Sequence, residues 1–196
     1  MINLTSFIHR LLSLSFIVMM LFMTSCDTDD PVPANEEELI TTVRLTFQKM
    51  ASGQPSGGPQ VFTWKDDDGS GPTEPVITPI TLDAHSTYNL SVTLLNESTT
   101  PVTDVTDEVE NESDAHQFFV LSEGVEITAE YNDVDSNGKP LGISHTITTD
   151  HFGTGTFTVI LIHEPDKSAA GVANGDPTNA GGETDVHAEF EINIVE

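Results

Sequence analysis

The sequence predicts an all-β fold: an antiparallel β-sandwich, Ig-like or Greek-key in its wiring, of about eight strands with one short helix. Three observations carry that expectation. Apolar residues recur at every second position in segment after segment, which is the period of a half-buried strand. Thr, Val, Ile and Phe dominate these segments, as β-branched and aromatic residues do on a pleated surface. Clusters of turn formers separate them, at SGQPSGGP (52–59), DSNGKP (135–140) and NGDPTNAGG (174–182).

The chain opens with a different kind of segment. After Arg10, the stretch from Leu11 to Phe22 carries no charge. It is too short to cross a bilayer but the right size for the apolar core of a secretory signal. Thr24 and Ser25, both small, then lead into Cys26, the only cysteine, with Met23 standing where leucine is more usual. Residues 1–25 therefore read as a lipoprotein signal peptide, with Cys26 acylated on its thiol and left as the new N-terminus after cleavage. The competing reading is a general secretory signal with an incidental cysteine, or an uncleaved membrane helix. Each buried acyl methylene contributes about 0.8 kcal/mol, so several chains anchor a protein without any spanning helix. Once that thiol is acylated no disulfide can form, and stability must come from the core.

Residues 26–38 form the expected tether. The run DTDDPVPANEEE from Asp27 holds two prolines and six acids without apolar periodicity, which predicts an extended, charged linker. From Leu39 to Glu196 the length fits a single domain. Leu39, Thr41, Val43, Leu45 and Phe47 share one face of a first strand, and Tyr88, Leu90, Val92 and Leu94 one face of another. Similar segments follow at 61–64, 125–131, 141–147 and 157–163. The last strand carries Val186, Ala188, Phe190, Ile192 and Ile194. The helix is expected at 104–114, where Val105 and Val109 lie four apart and acids occupy the first turn. It reads as a crossover between sheets.

Charge narrows the partners. The mature chain has 5 basic residues against 32 acidic ones, a net charge of −27 once Arg10 is removed with the signal. Nucleic acids and anionic lipid surfaces are repelled by such a field, whereas cations are drawn to it. A solvated surface suited to high salt explains the acidity equally well.

The sharpest local pattern is Asp133-Val-Asp135-Ser-Asn137-Gly138, with oxygen side chains at alternate positions and a glycine sixth. Calcium takes six to eight oxygens at about 2.3–2.6 Å, and such spacing supplies three from one loop. Ser144 occupies the twelfth position, where a helix-flanked calcium loop has a bidentate acid, so this is no EF-hand. The competing reading is ordinary hairpin-turn chemistry. Asp66 and Asp68, in the acidic run after Trp64, are expected to share an ion with that loop or to be a solvated turn.

Six histidines follow the signal: His85, His116, His145, His151, His163 and His187. Of these, His116 and His163 are the alternative metal ligands, for zinc or copper, with Asp114 and Glu164 placed to orient their rings. No pair has the short spacing of a zinc motif. His145 and His163 fall on apolar faces, where a core or strand-end role is commoner. No Gly-x-Ser-x-Gly elbow, His-Glu-x-x-His or phosphate loop occurs, and no catalytic residue is assigned. Gly153-Thr-Gly155 reads as a bulge or turn before a strand.

The stretches VFTWKDDDGSGP, YNLSVTLLNES, DAHQFFV, YNDVDSNGKPLG, LIHEPDK and GDPTNAGGETDV resemble a family of small Bacteroidota outer-membrane lipoproteins of unassigned function. The likeness covers most of residues 38–195. Members often carry the label "type 1 periplasmic binding fold superfamily", which implies two α/β lobes, whereas this chain is too short and too strand-rich for them. Asp27, Asp29 and Asp30 after the cysteine are similar to the acidic export signal of surface lipoproteins in that phylum, and both the cell surface and the periplasmic face stay open. The resemblance implies an envelope accessory protein working beside an outer-membrane uptake receptor or another envelope protein, and it supplies no catalytic residues.

The expectation is thus a non-enzymatic, lipid-anchored binding module with calcium as its cofactor at Asp133, Asp135 and Asn137. Its first alternative is a zinc- or copper-handling accessory using His116 and His163. A hydrolase acting on envelope glycans is the third reading, for which no motif speaks, since 32 acids guarantee chance carboxylate pairs.

Overall fold

In the computed structural model, residues 39–67 and 72–196 are described. They form twelve strands: β1 (Thr42–Ala51), β2 (Gln54–Pro55), β3 (Gln60–Lys65), β4 (Val76–Ile77), β5 (Ile80–Asp83), β6 (Thr87–Asn96), β7 (Thr103–Asp104), β8 (His116–Glu123), β9 (Ile127–Tyr131), β10 (Ser144–Thr149), β11 (Gly153–His163) and β12 (Glu183–Val195). One helix, α1 (Thr106–Asn111), follows β7. The strands build two sheets, ordered β4-β3-β1-β6-β10-β9 and β5-β12-β11-β8, with β2 and β7 as short additions to the first. The fold is the all-β sandwich expected. Pairing is antiparallel except between β5 and β12, which run parallel from Ile80 opposite Ile192 to Asp83 opposite Val195.

The period-two pattern decides which side of each strand is buried. Val43, Leu45 and Phe47 of β1, Leu90 and Leu94 of β6, and Phe157, Val159 and Leu161 of β11 are fully enclosed. Leu39, expected on the same face as Val43, is instead exposed because it precedes the first strand. Phe47 is the hub of the core. Its ring meets Phe62, Tyr88 and Phe157 at centroid distances of 5.9, 6.1 and 5.9 Å, all edge to face, and the last contact joins the two sheets. Helix α1 seats Val109 in the same core and, with the 3-10 turn Ser113–Ala115, carries the chain from β7 to β8, hence from one sheet to the other.

Strand β8 breaks the alternation. His116, Gln117, Phe118 and Phe119 are all buried. Phe118 points into the main core, while Phe119 joins Ile162, Val172 and Ala180 in a second small cluster on the other face. The segment from 164 to 182, with 3-10 turns Val172–Asn174 and Pro177–Asn179, covers that face.

Strand register fixes two ends. Along the β1–β6 ladder, Thr42 lies opposite Leu95 and Met50 opposite Thr87. The end where β1 begins also holds α1 and the start of β8. The turns before β6 and after β10 lie at the other end, about 30 Å away at ~3.3 Å per residue.

Candidate functional site

The loop carrying the calcium-like spacing closes around a cation of the protein's own. Asp133 accepts from Gly142 N at 2.7 Å and Ser144 N at 2.9 Å, one bond per carboxylate oxygen. The Oδ1 of Asp135 accepts from the N–H groups of Asn137 and Lys139, at 2.9 and 2.8 Å. Its Oδ2 meets the buried Lys167 ammonium at 2.9 Å. Lys167 also donates to Ser113 O at 2.7 Å and Pro140 O at 3.0 Å, so its three protons all find oxygens. Asn137 itself is exposed, and the loop is pinched by a bridge between Val134 and Pro140. Burial pushes the Asp135 carboxyl up, but Lys167 and the two backbone donors outweigh it and hold it below its ordinary value.

Asp66, the described candidate of the second acidic run, does not come to the same place. Asp66, buried, follows β3, and Asp133 follows β9, which lies four strand spacings away across the sheet, about 19 Å. Oxygens around one calcium ion are at most about 5 Å apart, so Asp66 and Asp133 do not share an ion in this arrangement. Asp68 lies outside the described residues, as does Cys26.

His116 and His163 are brought together, opposite one another on β8 and β11. Both are buried, and their rings stack at 4.7 Å with 24° between planes. A metal bound to an imidazole lies in the ring plane, and two nearly parallel planes do not meet at one ion about 2.0–2.1 Å from each nitrogen. His116 Nδ1 sits 3.1 Å from Glu112 O, and Nε2 is 3.8 Å from the carboxylate of the enclosed Asp185. The orienting role expected of Asp114 is not seen: that carboxylate accepts from Ser136 N and Oγ. His145 is enclosed as well, and its Nδ1 has no hydrogen-bond partner among the described residues. Burial pulls its pKa down to about 4, against a smaller opposite effect of Asp133.

A constellation not expected from the sequence lies at the far end of the sandwich. Glu126, Asp150 and His151 place one ligand atom each within 4.8 Å of one another, the only such group of three among the described residues. His151 Nδ1 is 3.2 Å from Asp150 Oδ1 and 3.6 Å from Glu126 Oε2. His85 Nδ1 stands 3.4 Å from the same Asp150 oxygen. The two rings meet edge to face at 5.3 Å and 76°. All four side chains are exposed, and His85, Glu126 and Asp150 border an open cleft of about 650 Å³ whose walls include Thr87, Ser122 and Thr148.

Backbone bonds hold these loops in place. His85 N donates to Asp150 O at 2.9 Å, and Asp150 N to Glu126 O at 3.1 Å. Thr149, buried, rivets the first two: its hydroxyl donates to Asp83 O at 2.6 Å and accepts from Ser86 N at 3.1 Å. Each of the three turns, β5–β6, β8–β9 and β10–β11, takes the chain from one sheet to the other. Close packing at β11 completes the frame, since a Cβ on Gly155 would run into the Glu123 carbonyl. That is the close backbone approach for which the glycine is needed.

The sequence held one faint signal for this cluster. His85 and His151 each sit in a short turn beside an acid, Asp83 and Asp150, but lie 66 positions apart. Searched against family models, curated proteins and solved structures, the chain finds no match in any of the three. Among the described residues no helix is long and apolar enough to cross a membrane, which says nothing of β-barrels.

Proposed function

We propose that this chain is a lipid-anchored, non-enzymatic envelope module that binds a divalent cation through the loops at the far end of its sandwich. The single observation that carries the reading is the convergence of Glu126, Asp150 and His151, with His85 beside them, on one exposed point. Two imidazoles and two carboxylates are a ligand set for divalent metals, and the net charge of −27 on the mature chain concentrates cations around it. Anchorage rests on the apolar segment ending at Cys26, and the likeness to Bacteroidota outer-membrane lipoproteins supports work beside an uptake receptor.

The test is thermal unfolding of chelator-treated, untagged protein with and without divalent metal. Binding to the native state alone raises stability by RT ln(1 + [L]/Kd), about 2.7 kcal/mol at a hundredfold excess over Kd. Asp150→Asn should remove most of that gain, and an unchanged melting curve with every divalent metal ends the proposal. Mass spectrometry of the natively expressed product checks the anchor, for which an unmodified thiol at Cys26 is the fatal result.

A further inference from the structure

Resting on that cation-binding reading, we infer that the site is a zinc-class tetrahedral centre of two nitrogens and two oxygens, completed by His85, and that it rejects calcium. Zinc holds nitrogen and oxygen ligands at about 2.0–2.1 Å, which sets neighbouring ligand atoms of a tetrahedron about 3.3–3.4 Å apart. Three of the six edges of such a tetrahedron are present, at 3.2, 3.4 and 3.6 Å, with the shared Asp150 oxygen in two of them. His85 touches the set through Asp150 but stands outside the group of three whose ligand atoms all lie within 4.8 Å, so its ring must swing inward to complete it. The ring planes of His85 and His151 cross at 76°, so one ion can lie in both planes.

Calcium needs a different environment. It takes six to eight oxygens, while this site offers two carboxylates and two imidazoles. Copper(II) favours tetragonal over tetrahedral arrangements. Glu126 and His85 are exposed side chains on turns whose backbone is already pinned, so closing them onto one ion asks for side-chain torsion and no change of fold. A bound zinc then ties together the three turns that link the two sheets.

The experiment uses the full-length chain in detergent, without a histidine tag, stripped with chelator and titrated calorimetrically with zinc chloride and with calcium chloride. Cobalt(II) is the spectroscopic probe, since a tetrahedral site gives it intense visible absorption and an octahedral one does not. We expect one zinc per chain, the tetrahedral cobalt spectrum, and no displacement by millimolar calcium. Even outer partners of metal ligands are worth about 10- to 100-fold in affinity, so His85→Ala, removing a direct ligand, should weaken zinc by at least about tenfold. The metal-free melting temperature of that variant controls for folding. Zinc affinity and cobalt spectrum untouched by His85→Ala overturn the inference but leave the cation site standing on Glu126, Asp150 and His151. Calcium binding that is sensitive to Asp150→Asn, with zinc no tighter, has the same meaning. No binding of either metal removes the site altogether.

Discussion

Two histidine pairs at opposite ends of β11 show how differently one residue type can be used. At the strand's C-terminal end His116 and His163 are enclosed and stacked at 24°, whereas ahead of its first residue His85 and His151 are exposed and cross at 76°. Centroid distances of 4.7 and 5.3 Å hardly separate them. Plane angle and company do. The buried pair is walled in, with the enclosed Asp185 carboxylate 3.8 Å from His116 Nε2, and Lys167 and Asp135 of the neighbouring loop pair with one another. The exposed pair leaves its ring nitrogens beside carboxylates on three pinned turns. Proximity of histidines therefore says little about metal binding until ring orientation is known.

The comparison can be broken most severely at the buried end. Lys167→Met leaves Asp135 enclosed without its cation and should cost about 3–5 kcal/mol by urea unfolding. Replacing both, with Asp135→Leu, should restore much of it, and a double variant no better than the single would mean that the pair is not what closes the loop. Acid is the next lever. The unfolded chain protonates His145 below its ordinary value of 6.5, while the folded chain resists until about 4. Stability should fall by about 1.4 kcal/mol per pH unit through that window, about 3 kcal/mol in all. His145→Gln should flatten that part of the profile. Asp135, depressed, contributes its stability above its ordinary range and loses it only as pH falls below that range.

Smaller effects sharpen the contrast between the pairs themselves. His163→Ala, which opens a void beside His116, should cost about 2 kcal/mol whether or not metal is present. His151→Ala should shift the metal-free melting temperature by less than about 2 °C and abolish the rise produced by zinc. Equal responses of the two alanine variants to zinc would erase the distinction.

The same contrast explains what could be read in advance. The half-buried strands were legible because water on one side and core on the other impose a two-residue period, as in Val43, Leu45 and Phe47. Strand β8 carries no such mark, since the 164–182 segment buries Phe119 while the core buries Phe118. The loop at Asp133 was legible as a turn whose oxygens gather inward. Its cation was not, because Lys167 sits 32 positions further along the chain. The cluster of His85, Glu126, Asp150 and His151 had no local spacing at all; only the stacking of three sheet-to-sheet turns unites it.

The ladder geometry has one more consequence. Strand β1 begins at the end of the sandwich where Thr42 faces Leu95, and the histidine and carboxylate turns occupy the opposite tip. The full length of the strands separates those turns from the stacked pair His116 and His163, so either tip can be altered without repacking the other.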